Sequence, residues 1–129
     1  MANSVRIRIL ASLLIGGVIG ASAVQMLHAQ SKPPGFWVAT IDVQDEQSYM
    51  KNFSPLTGPI FEAQGGKYLV RSIHVQTMEG PTAKRLVVVE FPSLDAAKAA
   101  YDSQAYRDAR KIGDQYAKFN IWLSEGLAK

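Results

Sequence analysis

The chain has 129 residues, 14 lysines and arginines against 11 aspartates and glutamates, and no cysteine. It is one domain in length, and the missing thiols exclude a disulfide scaffold, a thiol nucleophile and a thiolate metal site. Arg6 and Arg8 carry most of the formal net charge of +3: without them 12 basic residues face 11 acidic ones, net +1, leaving no basic patch for nucleic acid and no charge block for an anionic membrane surface.

Those two arginines open the first predicted element. "MANSVRIR" is followed over 9–24 by "ILASLLIGGVIGASAV", uncharged and mostly apolar, the pattern of a secretory signal over 1–29. The apolar run is short for a membrane span, which needs about 20 residues. Cleavage after Ala23 ("ASA") or after Ala29 ("LHA") fits the small-residue rule, and both sites stay open. Ile7 separates Arg6 from Arg8, so the twin-arginine route is not indicated. The expectation is a periplasmic or secreted protein without a membrane segment once the leader is removed.

"QSKPPG" (30–35) reads as a flexible proline-rich tether. The domain then occupies 36–129, a length of about 100 residues that buries a core without staples. "FWVATIDV" (36–43) predicts a buried strand, and Asp45 an N-cap for the next helix. That helix has an apolar stripe at Tyr49, Phe53, Leu56 and Ile60, yet Pro55, Gly58 and Pro59 fall inside it, which predicts a kinked or two-part helix ended by Gly65-Gly66. "KYLVRSIHVQTM" (67–78) predicts a long strand bulged near Ser72, turning through "EGPTAK" into "RLVVVEF" (85–91). Pro92 stops that strand, Ser93 caps a helix and Asp95 places negative charge in its first turn. Leu94, Ala97, Tyr101, Ala105, Ala109 and Ile112 trace its inner face, with Ser103 opening a second segment and Gly113 closing it. "FNIWL" (119–123) is the last strand.

The order is strand, helix, strand, strand, helix, strand: an α+β chain of the ferredoxin-like βαββαβ kind, with a four-stranded antiparallel sheet and its first and third strands central. Two helices cover one face of such a sheet. The first, third and fourth strands are nevertheless near-continuous apolar runs, whereas a half-solvated sheet alternates apolar with polar. The second face therefore calls for a cover, and a second copy of the chain in a two-fold homodimer is the economical one.

"FWVATIDVQDEQSYMKNF", "GGKYLVR", "VVVEFPSLDAAKAAYDSQAY" and the closing "SEG" resemble the domain-of-unknown-function family DUF1330, within the dimeric α/β-barrel superfamily. The resemblance implies a ferredoxin-like protomer and a barrel-like dimer, and leaves the activity open. Superfamily relatives include cofactor-independent monooxygenases, haem enzymes, lactone isomerases and plain binding modules. "RSIHVQ" stands where relatives often place glycines after the arginine, and the leader is an addition to the usual domain.

Four polar and five aromatic residues are candidates for a site. Glu90, if buried on the second face, would serve as general acid or base; the plainer reading is a strand end at the rim, solvated or paired with Arg71 or Lys84. His74 is the one histidine outside the leader, without the companions a zinc site needs, though an axial haem ligand needs only one; a partly exposed strand histidine is the plainer reading. Arg71 offers a planar fork to a carboxylate, that of Asp42, of Glu90 or of an acidic ligand. Asp42 alternatively begins the turn into the helix. Trp37, Tyr68, Tyr101, Tyr106 and Trp122 either line a pocket for a planar ligand or pack a core. No phosphate-binding glycine fingerprint and no nucleophile elbow occur, and no metal or cofactor is expected. Three functional readings follow. The preferred one is a small-molecule-binding dimer enclosing an apolar cleft, lined by Trp37, with Arg71, Asp42, Glu90 and Tyr106 at its polar edge. The second is a cofactor-independent monooxygenase or isomerase with Glu90 or His74 as base, and the third a structural or interaction dimer of the cell envelope.

Overall fold

Alternation of side chains builds the sheet. The computed structural model describes residues 32–129; the expected leader, with both cleavage sites, and the first two tether residues lie outside them. Strand β1 (Gly35–Val43) turns Trp37, Ala39 and Ile41 to one side, where all are buried, and Phe36, Val38 and Thr40 to the other, since successive strand side chains point to opposite faces. With β2 (Lys67–Ser72), β3 (Leu86–Phe91) and β4 (Ala117–Glu125) it forms an antiparallel sheet in the order β2-β3-β1-β4. The fold is the expected α+β ferredoxin-like arrangement, with the first and third strands central. Of the expected tether, Gly35 belongs to the sheet, pairing with Phe91 and Glu125, and the Pro34 carbonyl accepts from the Gly126 N–H at 2.8 Å.

The Asp45 carboxylate begins the first helical stretch, accepting from the Ser48 N–H at 3.1 Å and the Ser48 hydroxyl at 2.7 Å, bonds that hold its pKa below the ordinary 3.8. Helix α1 (Glu46–Ser48) runs into a π-helical turn (Tyr49–Phe53) and then α2 (Ser54–Glu62). Pro55 has no N–H for an α-type bond back to Lys51, and the Ser54 N–H reaches Tyr49 O, five residues back. The wider turn shifts the inner stripe. Leu56 is 39% exposed, and the buried set is Tyr49, Phe53, Ser54, Thr57 and Phe61, so hydroxyls face inward where the sequence pattern placed aliphatic side chains. Gly65 ends the helix at φ 78°, a conformation that favours glycine.

β2 stops at Ser72 instead of running to 78. It is an edge strand, its one neighbour β3 begins at Leu86, and the ladder ends at Ser72↔Leu86. Its bulge falls between Tyr68 and Val70, earlier than expected. β4 is longer than 119–123 because it pairs along the whole of β1.

Ser93 caps α3 (Leu94–Asp102), accepting from the Ala96 N–H at 3.1 Å. Ser103 splits α3 from α4 (Gln104–Gly113): its hydroxyl donates to Ala100 O at 2.7 Å and accepts from the Tyr106 N–H at 3.2 Å. Ala97, Ala100 and Ala109 are buried and let these helices lie close to the sheet. Ala105 is exposed rather than on the inner face, while Tyr101, 41% exposed, still sets its ring 5.6 Å from that of Trp37. Trp37 is at the centre of the core, with ring centroids 4.9 Å from Phe61 and 4.8 Å from Tyr106.

The helices leave the other face of the sheet uncovered. There Val70, Val88, Val38 and Trp122 stand in register across all four strands, and Trp122 is 57% exposed. Along β4 the expected continuous apolar run resolves into alternation: Phe119, Ile121 and Leu123 pack against the core, while Lys118, Asn120 and Ser124 flank Trp122.

Candidate functional site

Between sheet and helices lies a cavity walled by Trp37, Ile41, Tyr49, Phe53 and Tyr106, with Ser54, Thr57, Arg71 and Arg85 as its polar members. Its volume is about 30 Å³, and it is partly open to solvent. That is room for one or two water-sized groups.

The polar members come from different elements. The shifted helix supplies Ser54 and Thr57. The Thr57 hydroxyl donates to Ser54 O at 2.9 Å, so in its 2.5 Å contact with the Tyr68 hydroxyl it accepts and Tyr68 donates. Arg71 Nη2 donates to Ser54 Oγ, and its guanidinium lies 5.0 Å from the Tyr68 ring centroid. The bulge is what brings Arg71 here. In a regular strand Tyr68 and Arg71 point to opposite faces; the extra residue puts both on the cavity side, opposite Val89 and Val87.

Arg85 continues the inward row Phe91, Val89, Val87 by simple alternation, and its carbonyl accepts from the Ile41 N–H at 3.1 Å. It is 7% exposed, stacks 5.0 Å from the Tyr49 ring and pairs through Nη2 with Glu46, whose side chain is 60% exposed. The Nε of Arg85 is buried with no hydrogen-bond partner. Among the described residues lining the cavity there is neither a carboxylate nor a histidine.

Burial pushes the Tyr49 phenol up, with Arg85 pulling the other way. Burial pushes Tyr106 further, from 10.0 to about 12, against the opposing effect of Arg110, whose Nη1 donates to the Tyr106 hydroxyl at 3.4 Å. A raised folded-state pKa sets the sign: stability is unaffected below pH 10, where both states keep the proton, and falls as pH rises from 10 toward 12. For Tyr106 the full loss is about 2 to 3 kcal/mol. Urea unfolding between pH 9 and 11.5 is expected to show this decline, and Tyr106→Phe is expected to make it shallower; an equal slope in both proteins would contradict the assignment.

The structure brings Trp37, Arg71 and Tyr106 to this one cavity and leaves Asp42, Glu90 and His74 elsewhere. Asp42 is exposed and in register with Lys118 on the uncovered face. Glu90 is on that face too, 3.6 Å from Lys67 Nζ and 3.5 Å from Lys129 Nζ, in place of the expected Arg71 or Lys84. His74 is exposed beyond the end of β2, its N–H bonded to Ser72 Oγ at 2.9 Å. The polar edge expected from Arg71, Asp42, Glu90 and Tyr106 together is thus divided between the two faces of the sheet. The physical reason is strand parity, reversed for Arg71 by the bulge. Arg85, Ser54, Thr57 and Tyr49 were not singled out as site residues; for Arg85 the signal was available, since it sits two, four and six positions before Val87, Val89 and Phe91.

Comparison with known proteins adds the following. The family model described as Domain of unknown function (DUF1330) matches residues 34–127. No curated protein matches the chain. Among solved structures, the RPA0582 protein of unknown function from Rhodopseudomonas palustris is similar with TM-score 0.60 and 17% identity, over 74% of this chain and 84% of that one. SnoaB, a cofactor-independent oxygenase from Streptomyces nogalater, is similar with TM-score 0.53 and 11% identity, over 75% and 96%. A dimeric protein of unknown function and ferredoxin-like fold from Bacteroides fragilis is similar with TM-score 0.50 and 14% identity, over 72% and 96%. At these identities the likeness is one of fold. With its family model matched over 34–127 and a ferredoxin-like fold to carry it, the chain belongs to the DUF1330 family.

Proposed function

We propose that the protein is exported and works as a homodimeric small-molecule-binding module, one ligand occupying the cavity between sheet and helices of each protomer. The cavity carries the reading: aromatic walls at Trp37, Tyr49 and Tyr106 converge on a few polar groups, the usual make-up of a ligand site. Its small volume suits a head group, with the remainder of the ligand at the opening. Export rests on the leader sequence. The dimer is supported by the uncovered Val70–Val88–Val38–Trp122 row and by the dimeric Bacteroides fragilis protein of like fold; a second sheet packed about 10 Å away would cover the row.

The two tryptophans report on the two faces separately. In Trp122→Phe the remaining indole, Trp37, is in the cavity wall, so saturable changes in its emission with small aromatic compounds, accompanied by a raised melting temperature, are the expected result. No saturable change across a broad panel of such compounds would count against the reading.

A second reading, an oxygenase acting without a cofactor, is favoured by the fold shared with SnoaB. It ranks second because Glu90 and His74, its expected bases, stand away from the cavity. Oxygen uptake with a hydroquinone substrate, abolished on filling the cavity, would promote it.

A further inference from the structure

We infer that the cavity is an anion site and that its head-group ligand is a carboxylate held between Arg85 and Arg71; this rests on the small-molecule reading above and names the ligand class of the same cavity. Charge is the first ground. Two guanidinium groups line the space and, among the described residues lining it, no carboxylate does. Arg71 forms no ion pair among the described residues, and Glu46, the partner of Arg85, is outside the lining and more than half exposed.

The second ground is the unpartnered Nε of Arg85. Its side chain is 9% exposed, and leaving a buried donor unpaired is costly. Arg85 Nη2 is occupied by Glu46, while Nε belongs to the same planar fork and suits one oxygen of a second carboxylate. Arg71 lines the same cavity and would take the other oxygen: its Nη2 donates to Ser54 Oγ and its guanidinium lies over the Tyr68 ring, two contacts that hold it in place. The third ground is size. A cavity of about 30 Å³, partly open to solvent, accommodates the two oxygens of a carboxylate and leaves an organic tail to the opening.

The test uses benzoate and its neutral analogue benzamide, read by Trp37 emission in the Trp122→Phe protein. Benzoate is expected to bind at least about tenfold more tightly than benzamide, and Arg71→Gln to remove at least about tenfold of the benzoate affinity, the step for one charge-assisted hydrogen bond, without altering benzamide binding. Arg85→Gln is expected to do the same. If it fails to fold, the exposed Arg71 variant still decides. Equal affinities for the two compounds, unchanged in Arg71→Gln, would overturn the anion site and leave the small-molecule reading standing. No saturable response to either would overturn both.

Discussion

Trp37→Ala is expected to bring the domain close to unfolding at room temperature. The indole is 2% exposed, and its ring centroid lies within 6 Å of those of Phe61, Tyr106 and Tyr101, so three helical segments lose the side chain they share. Truncation of a buried tryptophan costs about 3 to 5 kcal/mol, against a total stability of about 5 to 15 kcal/mol for an ordinary domain. At about 4 to 8 °C per kcal/mol for a domain of this size, a melting temperature lowered by roughly 12 to 40 °C is expected by circular dichroism. Trp37→Phe keeps an aromatic face toward Phe61 and should recover much of the loss. A drop below about 1 kcal/mol for the alanine variant would mean that the neighbouring rings close over the gap, and that Trp37 is not the keystone described.

The second large effect is expected on assembly. Val88 occupies the middle of the uncovered face, in register with Val70 on one side and Val38 on the other. Its side chain points away from the core, so Val88→Lys should leave the protomer folded. A lysine there would be desolvated at the centre of an apolar interface with no partner for its charge, a several kcal/mol penalty per ion in such settings, and each dimer would carry two. The variant is expected to elute from size-exclusion chromatography as a protomer at concentrations where the unaltered protein elutes as a dimer. Its melting temperature should lose the dependence on concentration that association confers. In Trp37→Phe, where Trp122 is the reporter, adding Val88→Lys is expected to shift emission to the red as that indole becomes hydrated. Unchanged elution and emission would remove the face from consideration as an interface.

Much of the architecture can be read from punctuation in the chain. Asp45, Gly65-Gly66, Pro92-Ser93 and Ser103 each mark a boundary because each offers something the neighbouring backbone needs: a cap acceptor, a left-handed φ, or an absent N–H. Glu90-Phe91-Pro92-Ser93 is accordingly a strand end, a stop and a helix cap, with the Glu90 side chain, 15% exposed, paired to Lys67 and Lys129 on the face away from the cavity. The site was less legible, and two local irregularities explain why. The bulge beside Leu69 has no glycine or proline to announce it, yet it reverses the parity of β2 and carries Arg71 from the face of Glu90 to the face of Trp37. The π turn ahead of Pro55 exchanges Leu56 for Thr57 on the inner stripe and adds Phe61 beside a half-buried Ile60. Irregularities of both kinds recur near functional sites, where they re-aim side chains. Arg85 needed neither; strand alternation alone places it beside Tyr49, but an arginine at the first position of a predicted strand reads as solvated until its burial is known.

Sedimentation equilibrium of the unaltered protein at micromolar concentration tests most directly whether a second copy seals the Val70–Val88–Val38–Trp122 row. A mass of two protomers, with Trp122 shielded from aqueous quenchers, is the expected result. A stable single protomer with Trp122 fully open to those quenchers would contradict it.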